Sequence, residues 1–125
     1  MLVLKFGGTS VGSPPALEKV VEILKDPVRR EKVGVVVVSA FSGVTDKLID
    51  LSRRAVSGDT TYSKTVIALK ESHLEIASHF LSGMELEAAW EKIEEEFSQL
   101  LKALDGISVL RELSPRSLDL VMSFG

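Results

Sequence analysis

Hydrophobic residues along the first third of the chain predict two short strands. The segment Leu2–Phe6 is mostly apolar and has the length of a strand. The segment Val33–Val38 is β-branched throughout except at Gly34, which is the pattern of a strand covered on both faces. Helical patterns follow both segments, so the order strand, helix, strand, helix predicts the start of a parallel α/β sheet.

Capping residues and apolar faces predict the helices between and after these strands. Ser13 can cap a helix that carries Pro14 and Pro15 in its first turn, and Asp26-Pro27 ends it. The apolar face of this helix consists of Leu17, Val20, Val21 and Leu24, and that of the helix after the second strand consists of Leu48, Leu51, Ser52 and Ala55.

In the middle of the chain the hydrophobic residues recur with helical spacing, which predicts a helical hairpin at about residues 59–105. Two long helices over residues 61–104 are joined near Ser82-Gly83. Their apolar stripes consist of Val66, Leu69, His73, Ile76 and Phe80, and of Leu86, Trp90, Ile93, Phe97, Leu100 and Leu104. We expect the hairpin to pack on the sheet or to form an oligomer interface. His73 and His79 are too far apart around the helix to share a metal, which favours a structural role.

A last helix is predicted after Leu113, with Ser114 as its cap and Pro115 at its first position. Leu118, Val121 and Met122 lie on one face of this helix, and the sequence ends at Ser123-Phe124-Gly125. Because two strands with their helices do not complete a doubly wound sheet, we expect these 125 residues to be part of a longer domain.

Composition excludes several functional classes. The net charge of −3 argues against nucleic acid or an anionic membrane as the main partner. The absence of cysteine excludes disulfides, thiolate zinc sites and cysteine nucleophiles, and two histidines are too few for a histidine-rich metal site. No apolar run approaches the roughly 18 residues of a membrane span, and the N-terminus does not have the order of a signal peptide. A cytoplasmic location is the expectation.

Lysine and glycine at the end of the first predicted strand indicate a phosphate site. Gly7 and Gly8 allow a sharp turn and a close approach to a ligand, and their N–H groups, with the hydroxyls of Thr9 and Ser10, can cradle phosphate oxygens. Lys5 would add a mobile positive charge. The alternative is a simple tight turn, with Lys5 pointing to solvent.

Two common phosphate motifs do not fit this turn. A Walker loop needs a lysine after its last glycine, followed by Ser or Thr, and the chain has no such string. The dinucleotide fingerprint needs glycines at i, i+2 and i+5; Gly7 and Gly12 fit, but Thr9 occupies the middle position.

A second polar loop, residues 39–46, follows the second predicted strand and leads into a helix. The helix N-terminus and the hydroxyls of Ser39, Ser42 and Thr45 suit a carboxylate or a phosphate. If the two strands are neighbours, both loops face one cleft. A phosphate site beside a site for a small acid indicates phosphoryl transfer.

The strings KFGGTSVG, VVVVSAFSGVTDKL and SPRSLDLVMSFG strongly resemble the amino-terminal part of aspartate kinases, which belong to the amino acid kinase family. The resemblance implies a three-layer αβα, carbamate kinase-like fold, of which this is the N-terminal portion with an inserted helical hairpin. It also implies ATP-dependent phosphorylation of the side-chain carboxylate of L-aspartate, with Mg²⁺ on the nucleotide. That reaction is the committed step toward lysine, threonine and methionine.

The resemblance assigns roles to residues at both loops. It places Lys5, Phe6, Gly7, Gly8, Thr9 and Ser10 at the phosphates, and Ser39 and Thr45 at aspartate. Lys5 would also neutralise the transferring phosphoryl group. No general base is needed, since the attacking carboxylate is already ionised at neutral pH.

The resemblance also implies parts that this sequence does not contain. The turn at Gly125 would continue with a substrate-binding glutamate, and the remainder of the catalytic domain and regulatory ACT domains would follow. We therefore expect the chain alone to be inactive, and the complete protein to be a homo-oligomer. Another amino acid kinase with a different acid substrate, and a non-catalytic binding or assembly module, are the alternatives.

Overall fold

The computed structural model describes residues 1–125 and shows an α/β chain with two strands and seven helices. The strands are β1 (Leu2–Phe6) and β2 (Val33–Val38), and the helices are α1 (Gly8–Val11), α2 (Pro14–Lys25), α3 (Pro27–Arg30), α4 (Val44–Ser57), α5 (Tyr62–Phe80), α6 (Gly83–Leu110) and α7 (Pro115–Ser123). The chain divides into two compact units, residues 1–45 with Gly125, and residues 46–124.

The two strands pair in parallel, which confirms the α/β prediction. Leu4 lies opposite Val36 and Phe6 opposite Val38, and the register shifts between Leu2 and Val3. Parallel neighbours need a crossover connection, and α2 and α3 supply it between β1 and β2.

The prediction that β2 is covered on both faces is wrong for this chain. Val35, Val36, Val37 and Val38 keep between 40% and 60% of their surface exposed. A continuous run of valines shows that a strand can be buried on both faces, but burial also needs elements that cover it. The sheet of this chain has only β1 and β2.

The predicted start and end of α2 are confirmed, and a short helix follows it. The Ser13 hydroxyl accepts a hydrogen bond from the Ala16 N–H at 3.4 Å, and Pro14 is the first helical residue. Val20 is buried on the predicted face. After Lys25, the Asp26 carboxylate accepts a hydrogen bond from the Val28 N–H at 2.9 Å, which begins α3, a helix the sequence pattern did not predict.

The core of the second unit is formed by the predicted apolar faces of its helices. The fully or nearly fully buried side chains there include Leu48, Leu51, Ser52, Ala55, Val66, Leu69, Leu100, Leu104 and Val121. The buried Ser52 hydroxyl donates to the Leu48 carbonyl oxygen at 3.0 Å, so it leaves no unpaired polar atom in the core.

Helices α5 and α6 form the predicted hairpin, and α6 continues six residues past the predicted end at Leu104, to Leu110. Three contacts tie its arms together: the Tyr62 hydroxyl donates to the Asp105 carboxylate at 2.6 Å, Lys70 pairs with Glu94 at 2.9 Å, and the His73 ring meets Phe97 edge-on at 5.3 Å. The apolar stripe of α6 is more exposed to solvent in the N-terminal part of the helix, where Trp90 is 44% exposed.

His73 has a structural role within this hairpin. Its Nδ1 lies 2.7 Å from the Leu69 carbonyl oxygen, which can only accept, so Nδ1 carries the proton of that bond. The ring also packs on Phe97. Both features hold the imidazole in the hairpin interior.

The last helix, α7, begins as predicted. The Ser114 hydroxyl accepts from the Ser117 N–H at 3.1 Å, Pro115 is the first helical residue, and Val121 is fully buried. None of the seven helices combines the length and the apolar character that crossing a bilayer would require.

Candidate active site

The candidate site begins where β1 ends. Lys5 is exposed on β1 and forms none of the ion pairs of the chain, while Phe6 beside it is half-buried. Gly7 then caps α1, a single helical turn in which the Ser10 N–H donates to the Gly7 carbonyl oxygen at 3.0 Å. The predicted glycine turn is therefore a helical turn, and its first N–H groups, at Gly8 and Thr9, have no carbonyl before them to bind.

The two glycines have ordinary backbone angles and different surroundings. Gly7 has φ −78°, which any residue adopts, and Gly8 is helical, so neither glycine uses the left-handed region. Gly7 faces open space, where an added Cβ would meet no atom within 4 Å. At Gly8 an added Cβ would lie 3.4 Å from the Ala40 carbonyl oxygen, an ordinary van der Waals distance, so Gly8 lies against the second loop.

The second loop leaves β2 and enters α4. The Ser39 N–H donates to the Phe6 carbonyl oxygen at 3.0 Å and so extends the ladder between the strands. The Val44 N–H donates to the Phe41 carbonyl oxygen at 3.1 Å, and Gly43, with φ +79°, makes the turn into the helix. That left-handed conformation strongly favours glycine. Thr45 lies exposed in the first turn of α4.

The two loops are in contact, as neighbouring parallel strands require. Besides the approach of Gly8 to Ala40, a Cβ on Gly12 would lie 2.8 Å from the Gly8 carbonyl oxygen and 3.0 Å from the Ser42 Cβ. A side chain at Gly12 would therefore clash with the Gly8 carbonyl oxygen and crowd Ser42. The structure therefore brings the Lys5–Ser10 segment and the Ser39–Ser42 segment to one edge of the sheet.

Sequence reasoning overlooked two residues that shape this edge. Gly12 enters the sequence analysis only as a match to one position of the dinucleotide fingerprint, yet an added Cβ there would meet both Gly8 and Ser42 at 3.0 Å or less. Gly43 was passed over between Ser42 and Thr45, yet its positive φ sets the entry into α4. The available signal for Gly43 was the dipeptide Ser42-Gly43, since Ser-Gly is one of the pairs that mark turns.

This arrangement can bind anions but offers no cage for a metal. The Lys5 ammonium, first-turn N–H groups of α4 and five hydroxyl side chains lie on these two loops and their flanks; the hydroxyls belong to Thr9, Ser10, Ser39, Ser42 and Thr45. Donors and positive charge of this kind suit phosphate and carboxylate oxygens. Nowhere in the chain do three His, Asp or Glu side chains group in a way that could hold a metal ion.

Comparison with known proteins identifies the family: the chain belongs to the amino acid kinase family, whose sequence profile matches residues 1–124. The curated relatives are aspartokinases. The chain is 35% identical to Aspartokinase 2, chloroplastic, of Arabidopsis thaliana over 127 residues, which covers 98% of this chain and 22% of the relative. It is 42% identical over 76 residues to the Aspartokinase of Chlamydia muridarum, covering 61% of this chain and 16% of the relative.

A third relative is longer and bifunctional. The chain is 34% identical over 123 residues to "Bifunctional aspartokinase/homoserine dehydrogenase 2, chloroplastic" of Arabidopsis thaliana, covering 98% of this chain and 13% of that protein. The chain thus spans between 13% and 22% of the length of these three relatives. Family membership therefore holds for a segment that is much shorter than the proteins it resembles.

Proposed function

We propose that this chain forms the N-terminal part of the catalytic domain of an aspartate kinase, which transfers a phosphoryl group from ATP to the side-chain carboxylate of L-aspartate. The observation that carries the proposal is the direct contact between the two polar loops at the carboxyl ends of parallel strands, with Gly8 against Ala40. Ligands of open α/β sheets bind at this edge. The names of the curated relatives support the choice of aspartate.

The loop after β1 would hold the phosphates of the nucleotide. Gly7 opens onto free space, so a phosphate oxygen can approach its backbone without meeting a side chain. The first-turn N–H groups at Gly8 and Thr9, with the hydroxyls of Thr9 and Ser10, supply donors on the same turn. These residues fit a phosphate group. The Phe6 carbonyl oxygen, which accepts a hydrogen bond from the Ser39 N–H, holds the turn against the second loop.

Lys5 would stabilise the charge of the phosphoryl group during transfer. Phosphoryl transfer is catalysed mainly by positioning and by compensating the negative charge on the phosphoryl oxygens. Lys5 suits this role because its ammonium is exposed beside the glycine turn and is not engaged in an ion pair. A lysine already paired with a carboxylate would have to break that pair to act.

The loop after β2 would hold aspartate through the hydroxyls of Ser39 and Thr45. Ser39 is fixed next to β1 by its N–H bond to Phe6, and Thr45 lies in the first turn of α4, where free N–H groups favour a carboxylate. Since the reacting carboxylate is ionised at neutral pH, these residues need only to bind and orient it.

Some features of the proposed enzyme would depend on residues outside this 125-residue chain. Mg²⁺ would take its ligands mainly from nucleotide phosphates, as this ion commonly does, since the chain offers no cage of its own. The complete domain would have the three-layer carbamate kinase-like fold. The remainder of the catalytic domain, ACT domains and a homo-oligomeric assembly would complete the protein, in the pathway to lysine, threonine and methionine.

The proposal is tested in a chimera in which this chain replaces the matching N-terminal region of Arabidopsis Aspartokinase 2. We expect aspartate-dependent formation of ADP by the chimera. The Lys5→Ala variant should lower kcat by on the order of a hundredfold, the cost of losing one donor to the transition state. A matched control is Lys19→Ala, because Lys19 is likewise an exposed, unpaired lysine but lies on α2.

The kinetics of the two lysine variants test the role of Lys5. A near-normal kcat in Lys5→Ala would contradict the role of Lys5, and an equal loss in Lys19→Ala would show that the effect is not specific to the site. Because the chain supplies only the two loops, we expect the isolated 125 residues to form no ADP from ATP and aspartate. Turnover by the isolated chain would contradict that expectation.

A different acid substrate is the second candidate, since the donors of the second loop suit any small carboxylate. A substrate screen of the chimera decides between them: activity with glutamate or carbamate in preference to aspartate would favour the second candidate. A chimera that folds but phosphorylates none of these acids would favour a non-catalytic module.

A further inference from the structure

Gly12 lies directly after α1, in a backbone conformation that does not itself require glycine. Its φ of −78° and ψ of −5° belong to the right-handed helical region, which alanine adopts readily. Alanine at this position would therefore cause no backbone strain of its own. Any requirement for glycine here comes from the space around the residue.

The space beside Gly12 is closed by both loops of the candidate site. An added Cβ would lie 2.8 Å from the Gly8 carbonyl oxygen and 3.0 Å from the Ser42 Cβ. Gly8 belongs to the turn after β1, whereas Ser42 belongs to the loop after β2. The first atom is part of the backbone and the second is bonded directly to it, so neither can swing aside as the end of a long side chain can. A side chain at Gly12 would therefore move one loop away from the other.

The two loops meet at two places, and Gly12 lies at the second. At the sheet, the Ser39 N–H donates to the Phe6 carbonyl oxygen at 3.0 Å, which fixes the start of the second loop. Farther along this loop, Ser42 lies against α1, with its Cα 3.6 Å from the position that a Cβ on Gly8 would take. At this second place the distance between the loops depends on the small size of the residues that meet.

We propose that Gly12 is a positioning residue of the kinase reaction: because it lacks a side chain, it sets the distance between the loop that would bind the phosphates and the loop that would bind the acid. The inference rests on the proposed function. A substitution that separates the loops slightly would leave each of them able to bind its own ligand.

The distance between the loops matters because the reaction joins atoms held by both. A carboxylate oxygen of aspartate forms a bond to the γ-phosphorus of ATP while the bond from that phosphorus to the β–γ bridging oxygen breaks, which yields aspartyl phosphate and ADP. The attacking oxygen has to lie about 3 to 3.5 Å from phosphorus, and a misplacement of about 1 Å can cost on the order of a hundredfold in rate. Separated loops would therefore bind both substrates and transfer the phosphoryl group slowly.

Steady-state kinetics of the chimera with Arabidopsis Aspartokinase 2 test the role of Gly12. Gly12→Ala should lower kcat by about tenfold, because a shift of less than about 1 Å relieves both contacts. The KM for ATP and the KM for aspartate should stay within about twofold, since the loss is confined to the transition state. Gly106→Ala is the matched control: an added Cβ there meets no atom within 4 Å, so kcat and both KM values should not change.

A double-mutant cycle shows whether the contact with the second loop is responsible. Ser42→Gly removes the Cβ beside Gly12, so in that background Gly12→Ala should lower kcat by a smaller factor than in the otherwise unchanged chimera. Each factor is a ratio within one background, so it does not include the effect of losing the Ser42 hydroxyl. Circular dichroism confirms that the variants are folded, and the double variant, in which one clash is removed, can be compared with Ser42→Gly even if Gly12→Ala alone does not fold.

The possible failures of this inference and of the proposed function are distinct. An active chimera in which Gly12→Ala keeps its kcat, changes KM alone, or loses the same factor in the Ser42→Gly background would overturn the inference and leave the proposed function standing. An equal loss in Gly106→Ala would overturn the inference as well. A chimera that phosphorylates no acid before any substitution would overturn the proposed function, and this inference with it.

Discussion

Replacing Gly58 by alanine should destabilise the second unit through two separable effects. Gly58 follows α4 with φ +80°, and alanine in the left-handed region costs about 1 kcal/mol. Its Cβ would also meet the guanidinium of Arg111, which donates to the Ser57 carbonyl oxygen at 2.8 Å. The end of a long side chain can move away, but it then loses this bond. For an exposed charged donor that loss is about 1 kcal/mol.

The expected total is therefore about 2 kcal/mol of the free energy of unfolding. A double-mutant cycle separates the two parts. Arg111 is itself left-handed, with φ 54°, and Arg111→Ala keeps that backbone strain while removing the guanidinium. In the Arg111→Ala background, Gly58→Ala should cost only about 1 kcal/mol, which leaves a coupling energy of about 1 kcal/mol.

Urea unfolding followed by Trp90 fluorescence and by circular dichroism measures these free energies. Gly106→Ala is the control, because Gly106 lies inside α6 and an added Cβ meets no atom within 4 Å. That substitution should raise the free energy of unfolding by about 0.5 to 1 kcal/mol. If Gly58→Ala costs the same with and without Arg111, the contact between Gly58 and the guanidinium has no energetic role and the reasoning fails.

Three further predictions concern the hairpin and the last helix and use the same unfolding assay. Leu104→Ala should lower the free energy of unfolding by about 3 to 5 kcal/mol because Leu104 is fully buried. The control Leu110→Ala, at a residue that is 73% exposed, should change it by less than about 0.5 kcal/mol. Similar losses in the two variants would contradict the assigned core. Ser114→Ala removes the cap of α7 and should cost about 1 kcal/mol, while no loss would show that this cap is not needed. The hydrogen bond to Asp105 and burial raise the pKa of Tyr62, so the folded chain holds the phenol proton more tightly than the unfolded chain. That stabilisation is complete below the ordinary tyrosine pKa of about 10 and is lost as the pH rises through the higher folded value. Tyr62→Phe should cost about 1 kcal/mol at neutral pH and make stability less sensitive to pH above 10; an unchanged pH profile would refute the assignment.

Local patterns were sufficient to predict most helices and the two strands as elements. Ser13 and Ser114 were predicted as caps because a hydroxyl before a proline-led helix satisfies a free N–H within three residues, and both hydrogen bonds are present. The buried face of α4 followed from spacing alone, since a helix places Leu48, Leu51 and Ala55 on one side. These features depend on neighbours in sequence.

Features that depend on distant residues were not predictable in this way. The C-terminal end of α6 is set by Arg111, whose side chain binds Ser57, 54 residues earlier in the chain. The pairing of Tyr62 with Asp105 spans 43 residues. Neither partner is marked by a local pattern, because the contact exists only after the helices have packed.

At the candidate site, too, some features follow from the local sequence and others only from tertiary packing. By itself the sequence determined a lysine and glycine turn after one strand, a hydroxyl-rich loop after another, and the family that both resemble. Only the tertiary structure decided that the strands are neighbours, that Gly8 lies against Ala40, and that Gly12 has no room for a side chain. The physical reason is that residue type limits which contacts a segment can make, whereas the packing of the other segments decides which contacts form.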